Sequence, residues 1–326
     1  MLDQYGRNIN YLRVSLTDRC NLRCIYCMPE DMTFRPRSEL LQDDELKRLI
    51  PIFVDLLGFE KIRLTGGEPT LRENIVEIVQ NIAQTPSVRT VAMTTNGVLL
   101  KQLAAPLAAA GLARINISLD TLNAEKFRQL ARWGSVDEVW QGILAAQAAG
   151  LAIKLNAVIM RGFNDREDVI NLARLTYDYP WQVRFIEMMP FAGISGFQQN
   201  HAVTEPELKA QLRDELGELI LCHQGQLDGE ARVYQLEGAV GSVGFISSVS
   251  KPFCASCNRA RLTADGQLRL CLLREQELDV LAPLRHGATD QALRCLLKES
   301  IWSKPWGHGL AEQTVPLNRV MSEIGG

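Results

Sequence analysis

Cys20-Asn21-Leu22-Arg23-Cys24-Ile25-Tyr26-Cys27 sets three cysteines at the spacing C-x3-C-x2-C. A cube of four irons and four sulfides takes four ligands, and thiolates are its usual protein donors. Three thiolates from one short loop can hold three irons, leaving the fourth open to a small molecule. Zinc sites favour cysteine pairs two to four residues apart plus a fourth Cys or His, and disulfide frames belong to secreted chains. The spacing therefore favours an iron–sulfur site. The triad follows an alternating strand, NYLRVSL at 10–16, and precedes Met28 and Pro29, so it is expected on a loop leaving a strand end.

This stretch resembles the signature of the radical S-adenosylmethionine (SAM) superfamily. The resemblance implies a cluster on Cys20, Cys24 and Cys27. It also implies that Tyr26 is the aromatic packed beside the adenine of SAM.

At 326 residues and 46% hydrophobic, the chain can bury a substantial core in one large domain or two. A net charge of −3 argues against a nucleic-acid binder working by bulk electrostatics. No apolar run approaches the ~20 residues of a membrane span, and residues 1–15 lack a signal-peptide core. Eight cysteines in such a chain point to metal or redox chemistry, and a cytoplasmic location is expected. Cys222 and Cys295 have no clear partners and read as ordinary buried thiols.

Beyond the cysteine loop the chain alternates. Residues 42–57 have helical spacing, with Pro51 expected to interrupt or restart the helix. KIRLTGGEPTLR at 61–72 reads as a strand, a Gly-Gly turn and the start of a helix running to about 84. Strands are expected at 88–95, 114–119, 152–160 and 182–189, and helices at 99–111, 135–149 and 165–178. Six such units imply parallel strands with right-handed crossovers, an incomplete (β/α)6 barrel of the α/β class. Its ligand site should lie at the C-terminal strand ends, with Arg13 and Lys154 pointing inward from within their strands. The open side needs a cover, and residues 191–326 are the candidate, read as an α+β region after a break near 190. There, 204–216 looks like a helix with Glu207 placed for a capping box, and 230–249 like strands.

A second set, Cys254, Cys257 and Cys271, gives C-x2-C-x13-C, with Asn258, Arg259, Ala260 and Arg261 immediately after the pair. Alone, it suits zinc with His286 or Cys295 as readily as a second cluster. The repeated count of three, beside two guanidinium forks suited to phosphate or purine edges, favours a second [4Fe–4S] site.

Taken together, YLRVSLTDRCNLRCIYCMP, IRLTGGEPTLR, INISLDTL, KLNAVIMRGFND, RFIEMMP, FCASCNRARLTADGQLRLCLL and the terminal IGG resemble the GTP 3′,8-cyclase family of molybdenum cofactor biosynthesis. That resemblance covers residues 2–326 and implies two [4Fe–4S] clusters and SAM. Tyr26, Gly67, Ser118 and Met189 (or the adjacent Met188) would contact SAM. Arg13, Arg63, Thr94, Lys154, Arg184, Arg259, Ala260 and Arg261 would contact GTP, the last three from a turn, with Arg13, Arg259 and Arg261 also serving catalysis. Cys254, Cys257 and Cys271 would carry the GTP-binding cluster. The terminal Gly325 and Gly326 are expected to enter the active-site mouth, since a chain without side chains threads into a narrow cavity.

The resemblance also implies an external one-electron reductant and, downstream, a cyclic pyranopterin monophosphate synthase. Neither a nucleic acid nor a membrane is expected as a partner, and the oligomeric state stays open, a homodimer included. Two rivals are a peptide-modifying radical SAM enzyme with an auxiliary cluster and a zinc-ribbon module on a barrel scaffold.

Overall fold

Six strands alternate with helices through the first 190 residues: β1 (Tyr11–Ser15), β2 (Lys61–Thr65), β3 (Thr90–Thr95), β4 (Arg114–Ser118), β5 (Ala152–Ile159) and β6 (Gln182–Glu187). The structure is a computed structural model, and it describes residues 1–191, 200–312 and 318–325. The six strands pair in parallel in chain order. Between them run α1 (Asp43–Pro51), α2 (Ile75–Ala83), α3 (Leu100–Ala109), α4 (Ala124–Ala131), α5 (Val136–Ala148) and α6 (Glu167–Asp178).

Local chemistry sets the boundaries. Ser135 caps α5 by accepting from the Asp137 amide, and Gly111 ends the α3 segment at φ +101°. The α-helix ends at Pro51, as expected, and the segment continues as a π-helical turn over Ile52–Leu56. Helix α4 was not foreseen from sequence; it is short, and Asn123 caps it through the amides of Glu125 and Lys126.

The remaining chain supplies α7 (Glu205–Leu216), β7 (Leu219–Leu221), β8 (Arg232–Leu236), β9 (Ser242–Ile246), β10 (Arg259–Leu262), β11 (Gln267–Arg269), β12 (Glu277–Asp279), α8 (Leu281–Arg285), α9 (Asp290–Trp302) and α10 (Met321–Ile324). As expected, Thr204 and Glu207 form a capping box at α7. Two of these strands extend the barrel. β9 joins β6 in parallel and β10 joins β1 in parallel, giving a continuous parallel run β10-β1-β2-β3-β4-β5-β6-β9. Among the described residues the sheet stops at β12 and β7, so the barrel stays open. Arg259–Arg261, expected on a turn, is strand β10, because its backbone finds partners on β1 and β11. Among the described residues no helix is long and apolar enough to cross a membrane.

The main core lies between the sheet's outer face and the helices. Cys295 is exposed, contrary to expectation. On α9 the buried face is Leu293, Leu297 and Ile301, and a residue two positions from Leu293 and Leu297 points away from it. Inside the barrel, charged side chains take the place of the aliphatic layers that usually fill such folds.

Arg7 ties the N-terminus to the chain around Cys254. It pairs with buried Asp3 at 2.7 Å and donates to the carbonyls of Cys254 (2.9 Å), Pro305 (2.7 Å) and Trp306 (2.8 Å). Removing it strands a buried carboxylate and three acceptors. Arg7→Ala should therefore cost about 3 kcal/mol, measured by chemical denaturation, and Arg7→Lys should recover only part, since an ammonium cannot fork to all four partners.

Candidate active site

The upper part of the site is built where the strands end. The Cys20–Cys27 loop leaves β1 and crosses the turn after β2, where the Gly67 amide donates to Thr17 O and the Glu68 amide to Arg19 O, both at 2.7 Å. A Cβ on Gly67 would sit 2.3 Å from Arg19 O and 2.6 Å from Asp18 O. The glycine is thus required by the close approach of the cysteine loop's own backbone. Glu68 is buried and accepts from Thr70 N (3.0 Å), Thr95 Oγ1 (2.7 Å) and Asn96 N (2.7 Å), joining the ends of β2 and β3. Arg23 closes the loop on itself by donating to Cys20 O (2.7 Å) and Leu22 O (2.8 Å), with its guanidinium 4.1 Å from the Trp133 ring centre. Tyr26 donates to Asp120 Oδ2 at 2.8 Å, and Asp120 also accepts from Val158 N at 2.8 Å. Burial pushes the Asp120 carboxyl up to about 6.

The middle of the barrel is cationic. Arg261, Arg13 and Arg63 are registered side by side on β10, β1 and β2, and Asn116, Lys154 and Gln182 on β4, β5 and β6. These residues lie within their strands, as expected for Arg13 and Lys154. Arg63 donates to Tyr11 and, at 3.3 Å, to Thr94 Oγ1. Arg184 on β6 is also buried. Burial, then Arg13 and Arg259, pushes the Arg261 guanidinium well below its ordinary value, as crowding of like charges requires.

At the far end sit the other cysteines. Arg261 pairs with Arg269 across the antiparallel β10–β11 hairpin, and continuing that register by two residues sets Cys271 opposite Arg259. The hairpin therefore returns Cys271 to Cys257, which is the physical content of the x13 spacing. Lys304, missed in the sequence, is 2% exposed and donates to Arg259 O (2.8 Å) and Leu270 O. Burial opposes ionisation of Cys257, but Arg259 and Lys304 hold its thiol down to about 6. In the first triad burial prevails, with Arg23 offsetting it only in part at Cys20. Burial raises Cys20 to about 11 and Cys27 to about 12, and burial with the neighbouring Cys27, Asp120 and Cys20 raises Cys24 well above the ordinary thiol.

The chain's end comes back into this space. The Met321 amide donates to Cys27 O at 3.2 Å, and Arg261 Nη1 donates to Gly325 O at 3.1 Å. Gly325 is buried in a left-handed conformation at φ +75°, where a Cβ would meet Thr65 and Ser15 at 2.9 and 3.0 Å. Gly326 lies outside the described residues.

One cavity of about 280 Å³ is lined by all six cysteines of the two triads. Tyr26, Gly67, Thr94, Ser118 and both Met188 and Met189 reach it, as do Arg13, Arg184, Arg259 and Arg261. Met188 packs with the residues around Tyr26, and Met189 on the side of Cys271. Arg63 and Lys154 stand behind the lining, and the Ala260 side chain turns into the hydrophobic core, as alternation between two inward arginines dictates. His308 also reaches the cavity; its Nε2 is buried without a partner while Nδ1 accepts from the Leu310 amide.

Residues 14–175 match the family model described as Radical SAM superfamily, and residues 181–310 match Molybdenum Cofactor Synthesis C. Over its whole length the chain is 47% identical to the GTP 3′,8-cyclase of Heliobacterium modesticaldum, and 44% to those of Pelotomaculum thermopropionicum and Thermodesulfovibrio yellowstonii, covering 100% of each relative. The chain belongs to the GTP 3′,8-cyclase family. Solved structures agree on the fold. Streptococcus suis SuiB bound to S-adenosylmethionine superimposes at TM-score 0.59 with 15% identity, over 91% of this chain and 68% of that one. Methylornithine synthase superimposes at 0.54 with 18% identity, over 96% and 88%.

Radical SAM enzymes use SAM and a [4Fe–4S] cluster, and the cyclase's first triad suits that group. Its three thiols are free, face one cavity and perturb one another's ionisation, and bound iron would supply the positive charge that their burial lacks. Among the described residues no three His, Cys, Asp or Glu side chains are gathered for a single ion. A zinc ion would draw its sulfurs to within about 4 Å of each other, whereas a cube accepts thiolates at separate corners.

Sequence reasoning missed the groups that act through partners: Glu68, Asp120, Asp228, Glu230 and Lys304. Glu68 and Asp120 sit inside the quoted motifs, but their roles, like those of Asp228, Glu230 and Lys304, come from partners distant in sequence. Gly67→Ala, by contrast, tests a visible motif. It should cost about 3 kcal/mol in urea denaturation and lower the iron retained by the reconstituted cyclase, because the clash is with backbone that cannot rotate away.

Proposed function

We propose that this chain converts GTP to 3′,8-cyclo-7,8-dihydro-GTP, the first step of molybdenum cofactor biosynthesis. The observation that carries this reading is a single cavity with a cysteine triad at either end and a cation layer between. Its full-length likeness to GTP 3′,8-cyclases supports the same reaction.

In this reading Cys20, Cys24 and Cys27 hold the SAM-binding cluster, and Cys254, Cys257 and Cys271 hold a second cluster at the guanine. Bound there, with two electrons and one proton supplied from outside, the cofactors would provide the radical chemistry that transfers the ribose C3′ hydrogen of GTP to 5′-deoxyadenosine and bonds that carbon to guanine C8, leaving the ring reduced. The chain's residues do the positioning. Tyr26, fixed by Asp120, Gly67, Ser118 and Met188 or Met189 orient SAM beneath the strand ends. Arg13, Arg63, Lys154, Arg184, Arg259 and Arg261 meet the roughly four negative charges of the triphosphate. The tail at Gly325, held by Arg261, closes the space between the two ends and excludes water. Functionally, residues 1–190 form the radical-generating unit and 191–326 the part that completes the substrate site. The enzyme is cytoplasmic, and its product passes to a cyclic pyranopterin monophosphate synthase.

Anaerobic incubation with GTP, SAM and reductant tests this. The purified protein should be brown with about eight irons per chain, and should form 5′-deoxyadenosine together with a cyclised nucleotide. Cys24→Ser should abolish both products. Cys257→Ser, or deletion of Gly325 and Gly326, should leave SAM cleavage largely intact and remove the cyclised nucleotide; unchanged cyclisation would refute those assignments.

The pH dependence is specific. Burial, then Arg184, pushes the Lys154 ammonium down to about 8. A depressed amine keeps its charge below that value and loses it above. GTP affinity should therefore weaken as pH rises from 7 to 9, as read by equilibrium dialysis, and Lys154→Gln should flatten that dependence.

A further inference from the structure

Four of the cations assigned to the substrate already hold carboxylates, and both carboxylates come from one loop. Glu230 Oε1 accepts from Arg13 and from Arg259. Asp228 Oδ2 accepts from Lys154, lies 3.4 Å from Arg184 Nη2 and accepts from Gln182 Nε2 at 3.2 Å. Glu230 is 8% exposed and lines the cavity itself. Two acids two residues apart thus reach cations on β1, β5, β6 and β10. None of the chemistry above calls for a carboxylate there, and an anionic substrate would meet it as a like charge.

The loop that carries them lies at an edge of the sheet. It joins β7 to β8 at one end of the sheet, where β7 is a three-residue edge strand paired only with β8. It begins at His223 and Gln224, two non-glycine residues in succession at φ +53° and +51°, and has Gly229 at φ +69° between the acids. Conformations of that kind are costly and persist where a segment has a second use. Its backbone bonds among the described residues are Cys222 N to Val233 O at 2.9 Å, Gln226 N to His223 O at 2.9 Å, Asp228 N to Ala231 O at 3.0 Å, and Ala231 N to Asp228 O at 3.3 Å. Edges with so little support open at low cost.

We propose that Asp228 and Glu230 occupy the polyphosphate cradle as internal counter-anions, and that substrate binds by displacing them, so that they set which anions the site accepts. The carboxylates keep the crowded arginines neutralised before substrate arrives. A triphosphate has enough charge and reach to replace both acids; one phosphate does not. The inference rests on the GTP reading, and it makes the two acids specificity-determining residues.

The test uses the anaerobic holoenzyme with both clusters and SAM, without reductant, probed separately with GTP, GMP and inorganic tripolyphosphate. Hydrogen exchange of residues 222–231 should rise when GTP or tripolyphosphate binds. The double variant D228N/E230Q should bind both about tenfold more tightly, and GMP should gain more than GTP, a change in selectivity that a merely structural role would not produce. If GTP binds while 222–231 stays protected, or if the variant binds it no more tightly, the inference is overturned and the GTP reading stands. If tripolyphosphate opens the loop but GTP does not bind, the inference holds and the substrate reading fails. If neither anion binds, both fall. Should the variant not fold, exchange in the unaltered enzyme decides alone.

Discussion

The parallel ladder between β10 and β1 is the contact on which the rest depends. β1 leads into the first cysteine loop and β10 leaves the second, so one register, Tyr11 to Arg259 and Arg13 to Arg261, fixes both ends of the chamber relative to each other. Because the strands run the same way, Cys257 lies where β10 begins and Cys20 lies beyond where β1 ends. Roughly 15–20 Å of strand separates the two levels. That is room for a nucleotide and a cofactor stacked along the bore, and too far for the two triads to serve one metal.

The ladder also brings like charges together. Arg261, Arg13 and Arg63 fall side by side, and a barrel interior cannot leave them so without counter-charge. Asp228 and Glu230 supply it within the protein, and burial notwithstanding, the surrounding arginines hold the Glu230 carboxyl well below its ordinary value. The same cations act on one thiol: burial opposes ionisation of Cys257, but Arg259 and Lys304 hold it down, whereas burial raises Cys271 beside it and Cys24 and Cys27 in the first set.

Much of the site could be read directly because it is encoded in short windows. C-x3-C-x2-C, Gly66-Gly67 and Cys257-Asn258-Arg259 each bring donor and scaffold together within a few residues, and strand–helix alternation carries the parallel order of β1 to β6. The readings that fell short were those in which context overrides local pattern. Arg259–Arg261 became a strand because β1 and β11 offered partners.

By itself, then, the order of residues determined the parallel barrel, the two sulfur donor sets and the arginines beside the second, because each depends on periodicity or on neighbours a few bonds apart. Only the folded chain decided that the two sets share a chamber, that Gly325 returns to Arg261, and that an acidic loop from the far edge neutralises the centre. Those hydrogen bonds join residues from 29 to 217 positions apart, and their energy comes from burial and charge that exist only once the sheet has brought them together.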